Sequence, residues 1–181
     1  MVTIFLAQGF EEMEALAPLD LLRRAGIPVQ TAAVTDSPLS ADEKAADRLV
    51  VTGSHGVRFV CDLAAEQVTE EQMQMLVLPG GMPGTKHLGS SPLVDRWLRY
   101  AQQKGVFIGA ICAAPRCWEK RGCCKIAVPL PFRALSRREQ SAPVRAWCAT
   151  GSTSPQRERE SALNLVLSWS AAWQEKRPLD R

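Results

Sequence analysis

The sequence predicts an alternating α/β protein whose parallel sheet is covered by helices on both faces. Three observations carry that prediction. Short apolar runs of strand length occur at 2–7, 75–78 and 106–111, the composition expected of strands buried on both sides. Amphipathic segments with helical spacing lie between them, and turns rich in Gly and Pro separate the two kinds of segment. The chain, 181 residues with 46% hydrophobic and 23% charged, has enough material for one domain with a two-sided core.

Each element follows from local chemistry. The run 2–7 is too brief for a helix and rich in β-formers, and Gln8-Gly9-Phe10 turns the chain. From Glu11 the pattern becomes helical: Met13, Leu16, Ala17, Leu21 and Leu22 recur at three- and four-residue spacing, acids fill the first turn and Arg23-Arg24 the last. Gly26 ends it. A second strand spans 29–34, and the polar stretch 36–47 reads as a loop. Segments 49–52 and 57–61 flank Gly53-Ser54-His55-Gly56 as a hairpin or paired short strands. The strand at 75–78 leads into the turn Pro79-Gly80-Gly81-Met82-Pro83-Gly84. Pro92 opens a helix through Val94, Trp97, Leu98 and Ala101, and the run 106–111 makes a further strand that ends at Cys112. No apolar run is long enough to span a membrane, and the N-terminus lacks a secretory pattern, so the chain is expected to be soluble and cytoplasmic.

In parallel sheets the chemistry gathers at the carboxyl ends of the strands. Gly109-Ala110-Ile111-Cys112-Ala113-Ala114-Pro115 is the strongest such end. Small residues around a Cys at a strand-to-helix junction permit a sharp turn that lifts the sulfur clear of the sheet. A following helix would aim its N-terminal amides at that sulfur and favour the thiolate. Cys61 lacks this setting and is expected in the core. Gly80-Gly81 can bring backbone N–H groups close to a ligand, and is equally compatible with a plain turn. Glu11-Glu12-Met13-Glu14 reads as solvated helix-start charge, except that Glu14 falls beside the apolar face and can point inward. A partly buried carboxyl there has reason to take up a proton and donate a hydrogen bond to a thiolate or sulfinate. His87, near the glycine turn, reads as an exposed loop histidine.

Five ordered motifs together resemble the ThiJ/PfpI family: Gly9-Phe10-Glu11-Glu12-Met13-Glu14-Ala15, Asp20-Leu21-Leu22-Arg23-Arg24-Ala25-Gly26, Gly53-Ser54-His55-Gly56-Val57, Leu76-Val77-Leu78-Pro79-Gly80-Gly81 and Ala110-Ile111-Cys112-Ala113-Ala114-Pro115. Within it they are most similar to the subgroup of the Parkinsonism-associated protein deglycase and its bacterial relatives. The resemblance covers almost all of residues 1–115. It implies a flavodoxin-like homodimer with Cys112 as the reactive cysteine and Glu14 as its protonated carboxyl partner. It further implies that Gly81 and Ala113 supply oxyanion amides and that His55 lies near the dimer partner's site. The implied activity is cysteine-dependent chemistry on small reactive carbonyls such as methylglyoxal, or on glycated protein side chains, without cofactor or metal. An oxidative-stress sensor or redox chaperone using the same cysteine is the alternative. Family names also mention thiazole biosynthesis and peptidase activity, between which the residues do not choose.

The composition breaks after Pro115. Residues 1–115 hold 9 Lys/Arg and 13 Asp/Glu, a net of −4, whereas 116–181 hold 13 and 6, a net of +7. Residues 116–181 also carry four of the six Cys, four of the five Trp and only two of the twelve Gly. Adjacent Cys123-Cys124 chelate poorly, no His lies in this segment, and its positive charge accompanies no nucleic-acid motif. The genetic code offers a simpler cause. When the third base of each codon is joined to the first two of the next, Cys117-Trp118 must give Leu, Trp118-Glu119 Gly, and Cys123-Cys124 Leu. Gly122-Cys123 gives Leu, Met or Val, so the shifted frame reads as an apolar helix with a glycine, as the family has after its cysteine motif. No residue pair forces a stop in that frame. One base deleted at or just after the Pro115 codon produces the whole pattern, and residues 116–181 are therefore read as frameshifted and the product as inactive if they cannot complete the core. The rival is a genuinely divergent tail, for which Ala162, Leu165, Val166 and Trp169 offer some helical periodicity.

Overall fold

The computed structural model describes residues 1–35, 49–70, 73–112 and 114, together with the backbone of 146–149. The expected loop at 36–47, Ala113, Pro115 and the helical periodicity at 161–173 lie outside the described residues.

Strand β1 (Val2–Ala7) is buried at every position, as its unbroken apolar run requires. Helix α1 (Glu12–Arg24) follows, then β2 (Val29–Val34), the hairpin strands β3 (Val50–Thr52) and β4 (Arg58–Val60), and the two-residue β5 (Leu63–Ala64). Next come β6 (Met75–Leu78), α2 (Gly84–Ser90), α3 (Pro92–Lys104), β7 (Phe107–Ile111) and β8 (Ala146–Ala149). The main sheet has the order β5-β2-β1-β6-β7-β8, and every pairing in it is parallel. β3 and β4 form a separate antiparallel pair. This is the flavodoxin-like α/β arrangement expected from the alternation of strands and helices.

The strand period of two divides the core between the faces. Phe5 and Ala7 of β1 and Leu76 and Leu78 of β6 pack with Leu88 of α2 and Val94, Trp97, Leu98 and Ala101 of α3. Ile4 and Leu6, with Met75 and Val77, point to the other side and meet Ala15, Leu19 and Leu22 of α1. α3 opens at Pro92 as the sequence suggests, and the Ser91 hydroxyl caps it by accepting the Val94 N–H. Trp97 is 1% exposed and edges against Phe5 and Tyr100 at ring separations of 6.4 and 5.4 Å. Trp97→Ala is expected to cost roughly 3–5 kcal/mol of folding stability, read as a lower denaturation midpoint at unchanged slope. A loss under about 1 kcal/mol would mean that this face contributes little to the core.

Two expectations are corrected. The buried face of α1 is Ala15, Pro18, Leu19 and Leu22 together with two acids, not the stripe through Met13, Ala17 and Leu21. Met13 is 46% exposed because the sheet lies on the opposite side of the helix. His87 is not in a loop: it belongs to α2 and is half-buried. Within the compositionally odd segment, 146–149 forms a strand parallel to β7. Among the described residues, no helix is long and apolar enough to cross a membrane.

Candidate functional site

Connections leave β1 in opposite directions, toward β2 and β5 on one side and toward β6, β7 and β8 on the other. The crevice outside the carboxyl ends of β1 and β6 is thus the switch point at which ligands bind in open α/β sheets. The segments that follow β1, β6 and β7 meet there.

Cys112 stands directly after β7 with φ 54°, a left-handed conformation uncommon for a residue with a side chain. It is half-buried, so its sulfur is neither sealed in the core nor fully solvated. Glu14, in the first turn of α1, is 0% exposed, and its Oε2 accepts the Gly80 N–H at 2.7 Å. A Cβ placed on Gly80 would come within 2.6 Å of Glu14 Oε2 and 2.9 Å of Cys112 Cβ. Only glycine therefore lets the carboxyl and the cysteine close around the end of β6. The register brings them together, since Leu78 pairs with Ala110 and two further residues on each strand end at Gly80 and Cys112.

The turn between β1 and α1 is tied into the same point. Glu11 N–H donates to the Gly80 carbonyl at 3.0 Å, and Glu11 Oε2 caps α1 by accepting the Glu14 N–H at 2.6 Å. Gly84 N–H donates to the Gly9 carbonyl at 3.0 Å, which fixes the start of α2 against that turn. Of the predicted glycine pair, the Gly80 N–H is thus consumed by Glu14. Gly81, with φ 90°, keeps an N–H that donates to no protein atom among the described residues. Ala113, the other expected amide donor, lies outside them.

Sequence reasoning missed Glu12. Its carboxylate is buried, with Oε1 accepting the His55 N–H at 2.8 Å and Oε2 lying 2.9 Å from His55 Nδ1 and 3.3 Å from Ser54 Oγ. Burial pushes this carboxyl up, but the hydrogen bonds from the His55 side chain and backbone, together with those from the Glu12 and Val57 backbones, outweigh it and hold Glu12 below the usual carboxylate range. Ligand atoms of Glu11, Glu12 and His55 lie within 4.8 Å of one another. Their described oxygens already accept N–H or O–H donors, and the arrangement is a hydrogen-bonded clasp. The His55 ring is 74% exposed beyond that contact. His87 spends Nδ1 on the Gln8 carbonyl at 2.9 Å. Cys61 is buried, and burial, with Asp62 beside it, pushes its thiol up to about 12. Its core position is as the sequence suggests, and a thiol raised this far is mostly protonated at neutral pH.

Fold and site define a doubly wound α/β protein in which a strand-end cysteine and a buried carboxyl meet at Gly80. The chain belongs to the DJ-1/PfpI family, whose profile matches residues 1–126. The resemblance carried by the five motifs is thereby borne out. It is 37% identical over 119 residues to the Drosophila melanogaster protein dj-1beta, covering 66% of this chain and 58% of that one. It is 30% identical over 105 residues to a Caenorhabditis elegans protein named glutathione-independent glyoxalase DJR-1.2, covering 58% and 50%. The chain thus spans about half the length of these relatives. The fold matches the crystal structure of a cysteine-to-alanine mutant of a DJ-1 superfamily protein from Salmonella typhimurium, with TM-score 0.72, 23% identity and coverage of 96% and 90%.

Proposed function

We propose that the intact form of this protein is a cysteine-dependent enzyme acting on small reactive carbonyls such as methylglyoxal, or on their adducts with protein side chains. The observation that carries this is the packing of Cys112 against Gly80, whose N–H is held by the wholly buried Glu14. The name of the nematode relative supports the same substrate class. Cys112 Sγ, as thiolate, adds to the aldehyde carbon of a 2-oxoaldehyde. The carbon–sulfur bond forms as the carbonyl π pair moves to oxygen, where the Gly81 N–H steadies it and a proton from Glu14 neutralises it. The ionised Glu14 then takes the proton from C1 and returns one to C2, while the hydroxyl proton passes from the C1 oxygen to the C2 oxygen. The product is a thioester. Water cleaves it to a 2-hydroxy acid, regenerating the thiolate and the protonated carboxyl and releasing one proton to solvent. No cofactor or metal enters this sequence. The protein is expected to act in the cytoplasm as a homodimer, for which the apolar residues left exposed on α1 and the hairpin, Met13, Val57 and Val60, are suitable contacts.

Methylglyoxal consumption and 2-hydroxy acid formation without added thiol test the proposal. Turnover is expected in the intact form. No turnover, with oxidation of Cys112 by mild peroxide, would leave the redox-sensor reading instead.

We infer likewise that residues 116–181 are translated one base out of register. The curated relatives align over 119 and 105 residues, and the family match ends at 126, inside the anomalous segment. Resequencing the gene and restoring the frame decides the matter. The restored chain is expected to gain turnover that this chain lacks; an undisturbed gene with no family-like alternative frame would sink the inference.

A further inference from the structure

We infer that Glu12 is a positioning residue, whose clasp on the tip of the β3–β4 hairpin holds the first turn of α1, and with it Glu14 and Gly80, in place around Cys112. The inference rests on the reading of Cys112 as the reactive centre given above.

The clasp is built for close approach. A Cβ on Gly53 would collide with the Glu12 carboxyl, so Glu12 can hold its observed position over the hairpin only beside a glycine. Once there, Glu12 binds the backbone of His55, its ring and the Ser54 hydroxyl. Two backbone bonds continue the link into the β1–α1 turn, Gly9 N–H to the Thr52 carbonyl and Ser54 N–H to the Phe10 carbonyl, both 2.7 Å. That turn is in turn bonded to Gly80 through Glu11. A contiguous path thus runs from the hairpin tip through residues 9–11 to Gly80, where the Glu14 carboxyl and Cys112 meet. Glu12 and Glu14 stand two residues apart on one helical turn, so displacing one moves the other.

The clasp responds to pH through few groups. Glu11 faces Glu12 from its own helix end and His55 faces it from the hairpin, where Arg58 is exposed. The β1–α1 turn, Gln8-Gly9-Phe10, and the turn after β6, Gly80 to Pro83, contribute no ionisable side chain. Because the Glu12 carboxyl is lowered in the folded protein, its stabilisation is present above the ordinary carboxylate range and is lost as pH falls through the folded value.

The test is the pH–rate profile of Cys112 alkylation by iodoacetamide, followed by peptide mass, in the full chain and in Glu12→Gln, Glu12→Asp and His55→Gln. Alkylation needs no carbonyl substrate. Cys61, buried and raised to about 12, serves as the unreactive control. Glu12→Gln is expected to slow Cys112 at pH 7 by at least about threefold and move its midpoint upward, with Glu12→Asp restoring part of the loss. Hydrogen exchange at the Ser54 and His55 amides is expected to quicken about tenfold in Glu12→Gln. If Glu12→Gln does not fold, His55→Gln, altered at a mostly exposed ring, must show the same direction of change. A Cys112 profile unchanged from the parent in the folded variants overturns the inference, even with the hairpin loosened. A parent Cys112 no more reactive than free cysteine instead overturns the nucleophile role, and the two failures are distinct.

Discussion

Replacing Cys112 with serine is expected to lower 2-oxoaldehyde turnover of the intact form by at least about a thousandfold. Serine is nearly isosteric and inherits the same left-handed backbone position, so the change removes chemistry rather than shape. A serine hydroxyl is far harder to ionise at neutral pH than a thiol, which needs only a modest push. The residual rate would come from the Gly81 amide and Glu14 acting on a hydrated carbonyl. Steady-state kcat/KM beside a denaturation curve checks this, and residual turnover above a tenth of the parent, in a folded variant, removes Cys112 as the nucleophile.

Glu14→Gln should be nearly as severe, at about a hundredfold to ten-thousandfold in kcat. The amide retains an oxygen for the Gly80 N–H, now held at 2.7 Å, so the fold is expected to survive with a loss of only about 1 kcal/mol. What disappears is proton exchange, since an amide can donate a hydrogen bond but cannot shuttle a proton between C1 and C2. Glu14→Ala separates the two roles: it leaves the Gly80 N–H without its acceptor and should add roughly 1–3 kcal/mol of destabilisation to the same kinetic loss. Turnover within threefold of the parent in Glu14→Gln would assign the proton steps to another group.

Much of this arrangement could be read from the chain. Parallel strands buried on both faces advertise themselves as uniform apolar runs, which is why β1 and β6 were visible, and Pro92 marked the start of α3. Cys112 and Glu14 were legible because each breaks a local rule: small residues crowd the cysteine, and an acid sits beside an apolar helix face. α2 was not. It begins at Gly84 and contains Gly89, poor helix formers, and tertiary bonds such as Gly84 N–H to the Gly9 carbonyl fix its start. The two residues of β5 are too few for any period. Glu12 was hidden for a different reason. An acid in a first helical turn reads as solvated, and the partner that buries it lies 43 residues away. Met13 misled by the converse route, being apolar and helical in spacing yet turned away from the sheet.

The strand at 146–149 has a consequence for solubility. Without it, β7 would form the margin of the sheet, offering the unpaired amides and carbonyls of an apolar stretch to any similar strand on another molecule. Main-chain pairing from Ile108↔Ala146 to Ile111↔Ala149 occupies those groups. It does so with residues drawn from the segment least like the rest of the family. The main-chain pairing at 146–149 is made by backbone atoms alone, so it is separable from whether the cysteine beside it works.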